Sequence, residues 1–471
     1  MNSSMSDSAR PSAIDPCGRL ARRDFIHQLG GGLLGLALGN LRAEAAGSRP
    51  GIRGPHHPAK ARSVIFLFMC GGVSHIDTFD PKDNKWAGKL IDAVGFGDNL
   101  AEMRRPVIPC LRTFTRHGKS GIPVSDWFPQ VGGVIDDIAV VRSMWCHEGN
   151  HFPAVVETQT GHRGRAFDHP SFGSWISHAL GSGNRDLPTF VNLGRPSSPM
   201  QLTGGYLGAS VAATPFQAGD TPIPNLYPPK GGSVSERELR MELLETMNRE
   251  FRERYAMNTD IQARVKAYEL AARMQLSAPA VVDLSGEPAH VKALYGVDER
   301  ETDEFGRQLL LARRLAENGV RFIQVCHGGG GNGGWDSHGD MRTHAPLCRA
   351  TDKPIAGLIR DLKQRGMLDG TLVVWTSEFG RTPWSQNTTG RDHNPRGYTS
   401  WLAGGGIRGG MIHGGTDEVG YRAEDSPHYY SDLHATILHQ LGLDHQEMEV
   451  HVLGRTMRLV EEGAPIREII A

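Results

Sequence analysis

No C-x-x-C pair occurs among the six cysteines, which excludes a structural zinc knuckle built on thiolates. Charge of one sign is missing too: 51 Lys and Arg stand against 52 Asp and Glu, for a net charge of −1. With no basic stripe interleaved with aromatics, nucleic acid is not an expected partner. The longest apolar stretch near the N-terminus, Leu29 to Leu41, is diluted by glycine and falls short of the ~20 residues that a membrane span needs. There is no internal repeat, and no cofactor motif that would support a redox enzyme.

What is present fits a globular protein. The chain has 471 residues, 39% hydrophobic and 22% charged, enough for one large domain or two ordinary ones. Gly is abundant at 59 residues, and many of the 21 His stand beside Asp, Glu or Gly rather than inside apolar runs. At the N-terminus, Arg22-Arg23, then Phe25, the short apolar run and Ala43-Glu44-Ala45 read as a twin-arginine export signal over residues 1–45. Residues 46–61, rich in Pro, Gly, His and Arg, read as a linker. The expected location is periplasmic or secreted, with no membrane span after cleavage. Loss of Cys17 leaves Cys70, Cys110, Cys146, Cys326 and Cys348, an odd number.

The run SVIFLFM (63–69) predicts a strand buried on both faces. DIAVVRSM (137–144), VRFIQVCH (320–327) and TLVVWTS (371–377) predict three more. Helical patterns fall between them: Ser235 and Glu238 form a capping box before Leu243, Met247, Phe251 and Tyr255. Val265, Tyr268, Ala272 and Leu276 share a second helical face. Residues 303–319 form a helix ending at Asn318-Gly319, and Ile355 to Leu362 mark another. The alternation predicts an α/β fold with a mostly parallel sheet. Residues from about 181 to 300 read as an irregular and helical insertion.

Each of the four strands runs into a loop carrying acids or histidines. In order, these loops hold His75, Asp77 and Asp80; His147, Glu148, His151 and His162; His327, Asp336, His338, Asp340 and His344; and Glu378, Arg381, Asp392 and His393. In a parallel sheet such loops meet at one edge, where ligands bind. Gathered carboxylates and imidazoles repel one another unless they are paired or hold a cation. Asp, Glu and His ligands suit zinc, manganese, iron or magnesium. One or two divalent ions, calcium included, are therefore the expected cofactor, and two would clamp the oxygens of an ester displacement. Arg381 is placed to hold an anionic group. Plainer roles compete. Asp77 could cap a turn, Asp340 and His344 could start a helix, Glu378 could pair with Arg381 at the surface, and Asp392–His393 could be a solvated pair. His413, Asp432 and His434 read as structural.

The segments FLFMCGGVSHIDTFDP, WDSHG, SEFGRTP and GRDHNPRGYTSWLAGGGIRGG resemble an exported bacterial family catalogued as domain of unknown function 1501, grouped with the alkaline phosphatase and sulfatase superfamily. The resemblance runs from about residue 60 to the C-terminus. It implies an alkaline phosphatase-like three-layer α/β sandwich as a single domain over 62–471. It implies metal ligands at Asp77, Asp336, His338, Glu378 and His393. The TSEFG segment stands where a sulfatase-like pattern has TSDNG or TSDHG. In HFPAVVETQTG, Pro153, Thr160 and Gly161 match the spacing of a sulfatase nucleophile motif, which puts His151 in the Cys position. No Ser, Thr or Cys attacker then remains: His151 is a ligand or the nucleophile itself, or the hydrolase chemistry is gone. Asp392 would orient its neighbour. The implied function is metal-dependent hydrolysis of phosphate or sulfate esters, small or polymeric, for example on a polysaccharide. The alternative is a non-catalytic cell-envelope binding or assembly module that keeps the hydrolase fold.

Overall fold

In the computed structural model the run SVIFLFM is strand β1 (Ser63–Met69), buried at every position. Nothing polar alternates in it because helices cover both faces of the sheet. The structure describes residues 54–94, 102–164, 168–217, 239, 242–243, 246–250, 269–270, 273–274, 278–385 and 389–471. The expected export signal and most of the two helices expected over 235–276 lie outside the described residues.

The remaining strands of the central sheet are β2 (Ile138–Trp145), β3 (Phe190–Leu193), β4 (Thr214–Phe216), β5 (Phe322–His327), β6 (Thr371–Thr376), β7 (Tyr398–Ala403), β8 (Met411–His413) and β9 (His428–Tyr429). Their order is β8-β2-β7-β6-β1-β5-β3-β4, with β9 also paired to β2. Only β7 runs antiparallel, to β6 on one side and β2 on the other; the other pairings are parallel. The expected α/β class with a mostly parallel sheet is what forms.

Period-two alternation divides each strand between two cores. Ile65, Leu67 and Met69 face a layer that includes Leu309 and Leu310 together with Ile355, Leu358 and Ile359. Val64, Phe66 and Phe68 face the opposite layer, which holds Trp175, Ile176, Leu433 and Ile437. The helices supplying these residues are α2 (Phe172–Leu180), α3 (Asp303–Glu317), α4 (His344–Gln364) and α5 (Tyr430–Gln440). Helix α1 (His151–Thr160) also lies on the second side, through Ala154 and Val155.

One expectation needs correction. The stretch from 181 to 300 is not wholly an insertion, since β3 pairs in parallel with β5 (Phe190 opposite Phe322) and β4 extends the same sheet. Their four and three residues are too short to show a period among flanking Gly, Pro and Ser. The five cysteines beyond residue 54 are all unpaired. Among the described residues, no helix is long and apolar enough to cross a membrane.

Because β1, β2, β5 and β6 are mutually parallel, the loops after them leave from one edge. Strand β7 runs the other way, so the segment leading into it, Arg391–Gly397, arrives at that same edge.

Candidate metal centre

His151 is the first residue of α1. Its position is fixed by Glu157 of the same helix, a wholly buried acid. Glu157 accepts from the backbone N–H groups of His147 (3.0 Å) and Glu148 (2.8 Å) and from the Tyr429 hydroxyl (2.6 Å), closing the loop after β2 onto the helix. The glycine-rich loop after β5 is pinned as firmly. Buried Trp335 donates its backbone N–H to the Cys70 carbonyl (3.1 Å) and its indole N–H to His327 Nδ1 (3.2 Å). His344, wholly buried, accepts from the Ser74 N–H through Nε2 (3.2 Å) and contacts the Ser337 hydroxyl through Nδ1 (2.8 Å). Burial pushes its pKa down to about 3, so it is neutral and able to accept. His393 sits in a two-residue antiparallel ladder directly opposite Arg381.

These elements bring His151, Asp336, His338 and His393 together, with one donor atom from each within 4.8 Å of all the others. His151 Nε2 lies 3.2 Å from Asp336 Oδ2; His338 Nε2 and His393 Nε2 lie 3.1 and 3.3 Å from Oδ1 of the same carboxylate. Each imidazole is held from behind at Nδ1: His151 by Glu378 (2.9 Å), His338 by Asp392 (3.1 Å) and His393 by the Gly149 carbonyl (2.7 Å). A carbonyl only accepts, so His393 carries its proton on Nδ1 and presents a bare Nε2 to the cluster. The buried ring of Phe379 packs against both His151 and His393 and forms an apolar wall.

His338 Nε2 and His393 Nε2 face each other at 2.8 Å, so two bare lone pairs cannot meet there: either one nitrogen carries a proton or both face a cation. The carboxylates of Asp336 and Asp392 raise the His338 pKa to about 9, while burial lowers that of His393 to about 4. For His151, burial works downward, but the carboxylates of Asp336 and Glu378 prevail and raise its pKa. Burial would push the Asp336 carboxyl up, yet the three imidazoles and the Arg381 guanidinium hold it well below the usual carboxylate range.

The residues fit a divalent ion. Zinc–ligand bonds of roughly 2.0–2.1 Å put tetrahedral donors ~3.3 Å apart, close to the separations here. His151 Nε2 is buried without an aligned hydrogen-bond partner, an orphan that a metal bond would satisfy. Asp336, Glu378 and Asp392 against Arg381 leave two negative charges, which one divalent ion balances. The side chain of His338 is 37% exposed, against 9% for His151, so the cluster opens to solvent on the His338 side.

Proton and metal compete for the same nitrogen of His338. Apparent metal affinity is expected to rise about tenfold per pH unit on approach to pH 9, then level off. Metal titrations across that range check the slope.

Several residues expected in the first rank stand elsewhere. Glu378 is wholly buried, accepts from the Gly71 N–H (2.8 Å) and the Ser377 hydroxyl (3.0 Å), and reaches the cluster only through His151. It holds His151 in place and offers no oxygen to the cluster. Asp392 orients His338, not its sequence neighbour His393. Arg381 is wholly buried; it donates to the carbonyls of Gly72 (2.8 Å), Gly71, Trp335 (3.2 Å) and Arg391 (3.2 Å) and to Asp336 Oδ1 (2.8 Å). So engaged, it braces Asp336 and has no face for an anion. Gly71 and Gly72 permit this approach: both have positive φ, and a Cβ on Gly72 would meet the Phe379 ring at 2.6 Å. Asp77 is not in the cluster at all. It forms a buried ion pair with Arg391 (2.8 Å) and also accepts from Ser74 Oγ (2.6 Å) and the Leu111 N–H (2.9 Å), so neither oxygen is left for a metal. His75 and His162 bond the carbonyls of Gly420 and Arg458, and His147 packs edge-on against Trp145 and Tyr429. Sequence reasoning missed Arg391 and Glu157: both lie inside the segments GRDHNPRG and HFPAVVETQTG, but nothing local separates them from ordinary surface charges.

Glu378→Gln is expected to weaken metal binding about 10–100-fold, because the charge that strengthens the bond to His151 Nδ1 is lost and the amide NH₂, at either oxygen's place, would face the Gly71 N–H. Competition with a chromogenic chelator would measure it.

Residues 61–470 match the family model described as Protein of unknown function (DUF1501). The chain belongs to this family. No curated protein matches this DUF1501 chain in sequence. Among solved structures it is similar to the lipoteichoic acid synthase LtaP from Listeria monocytogenes (9% identity, TM-score 0.38, covering 86% of this chain and 76% of that one). It is also similar to the PsFucS1 sulfatase from Pseudoalteromonas sp. (12%, 0.34, 86% and 71%) and to alkaline phosphatase from the Antarctic bacterium TAB5 (12%, 0.31, 74% and 92%). At such scores these likenesses say nothing about the site of the DUF1501 chain.

Proposed function

We propose that His151, Asp336, His338 and His393 hold a divalent metal ion, most simply zinc, in an exported hydrolase of phosphate or sulfate esters. The observation that carries this reading is the direction of the three imidazoles: each is tied at Nδ1 and turned so that Nε2 meets one carboxylate. A bound divalent ion would supply Lewis-acid polarisation of a phosphoryl or sulfuryl oxygen. The chain's own residues set the conditions for it. Arg381 keeps Asp336 ionised and in place, Glu378 and Asp392 fix two of the histidines, and Phe379 keeps water from the buried side. His151 acts as a ligand in this arrangement, since Glu378 holds its Nδ1 and its Nε2 is left for the cluster. The exposed side of His338 is where an ester, small or on a polymer, would approach.

One observation favours the second reading, a non-catalytic envelope binding or assembly module that keeps the hydrolase fold: Arg381 is consumed internally and cannot receive an anion. Elemental analysis of the purified chain, with a screen of nitrophenyl phosphate and sulfate with and without chelator, separates the two. Stoichiometric metal with chelator-sensitive turnover is the expected result. Metal without turnover supports the module, and a chain that takes up no metal ends the hydrolase reading.

A further inference from the structure

We propose that His413, His428 and Glu468 form a second, separate divalent-cation site that ties the sheet edge to the C-terminal segment. His413 ends β8 and His428 begins β9, two short strands laid one after the other along β2, with His413 opposite Val141 and His428 opposite Met144. The arrangement turns the two rings toward each other, Nε2 to Nε2 at 2.8 Å. Glu468, from the turn Arg467–Ile469, brings a carboxylate oxygen 3.9 Å from His413 Nε2. One donor atom from each of the three lies within 4.8 Å of the others.

The second layer of contacts repeats the logic of the first site with different residues. His428 Nδ1 donates to Asp432 Oδ2 (2.9 Å), so its Nε2 carries the lone pair. Asp432 Oδ1 accepts from the Ala464 N–H (2.9 Å), so the acid that orients His428 also holds the strand of chain leading to Glu468. Two imidazoles and one carboxylate suit a borderline first-row ion such as zinc. The histidine side chains are mostly buried and the Glu468 side chain is 59% exposed, which leaves a path from solvent and room for further ligands. No residue is shared with the His151 cluster.

The plain competitor is a hydrogen bond in which one imidazole donates to the other. Zinc titration of the full chain by calorimetry, with elemental analysis after gel filtration, separates the two. The expected result is that His413→Ala and, independently, Glu468→Gln each remove or weaken one equivalent of zinc by at least about tenfold in affinity, from wild type and from Asp336→Asn protein alike. Glu468 is exposed, so its variant tests the site with little risk to folding. In Asp336→Asn protein, zinc is also expected to raise the unfolding temperature, and His413→Ala to cancel that rise. If the His151 cluster binds nothing, wild type and Asp336→Asn take up the same single equivalent, and His413→Ala still removes it. Unchanged zinc stoichiometry and affinity in both His413→Ala and Glu468→Gln would overturn the proposal.

Discussion

Asp336→Asn is expected to remove the equivalent of metal held by the His151 cluster, leaving what His413, His428 and Glu468 hold, and to weaken affinity at the cluster by well over 100-fold, more than the loss typical of an orienting residue. Among the described residues, Asp336 is the one side chain that all three imidazoles of the cluster face, and it also receives Arg381. An amide supplies one weak oxygen where two charged ones stood, and its NH₂ would point at a lone pair or at the guanidinium. Any chelator-sensitive ester turnover should fall with the metal. His393→Ala should act in the same direction, since it removes a neutral imidazole whose Nε2 is already deprotonated. Asp340→Asn serves as the control: Asp340 pairs only with neighbouring Arg342, at the start of a turn, and the change should leave metal content as it was. Atomic emission on the purified proteins reads all three. Full metal occupancy in Asp336→Asn would remove the cluster from the account of function.

The second large effect concerns stability. Asp77 and Arg391 are both without solvent exposure, and the Asp77 carboxyl is held low by Arg391 and by its hydrogen bonds, against the upward push of burial. Removing one partner strands the other charge in the interior. Asp77→Asn or Arg391→Met alone should therefore cost about 3–5 kcal/mol, while a combined apolar replacement should recover much of it. Denaturant midpoints would show this as a large shift in each single variant and a smaller one in the double. Metal bound per folded chain should not change. A metal-depleted Asp77→Asn protein of normal stability would return Asp77 to the ligand set.

The long strands were legible because they are buried on both faces: SVIFLFM and TLVVWT have no polar alternation to confuse with a helix or an edge. The meeting of loops was legible for the same reason, since parallel strands send their C-terminal ends to one side. Which acid binds and which one supports a binder was not. Asp336, Glu378, Asp392 and Asp77 all follow strands in glycine-rich loops, and the sequence carries no sign that Arg391 takes Asp77 or that Glu378 lies behind His151. Those choices are made by contacts between residues hundreds of positions apart. The strands at 190–193 and 214–216 escaped because three or four residues cannot display a period. The facing pair His413 and His428 escaped because each lies in a strand of two or three residues whose partner is set by β2.

The four atoms that gather at Asp336 are supplied by three stretches of chain with most of the sheet between them. No fragment that lacks β5, or the ladder joining Arg381 to His393, holds the full set. On the proposed reading, ion capture at this site would report completed folding, since a half-made molecule lacks part of the donor set.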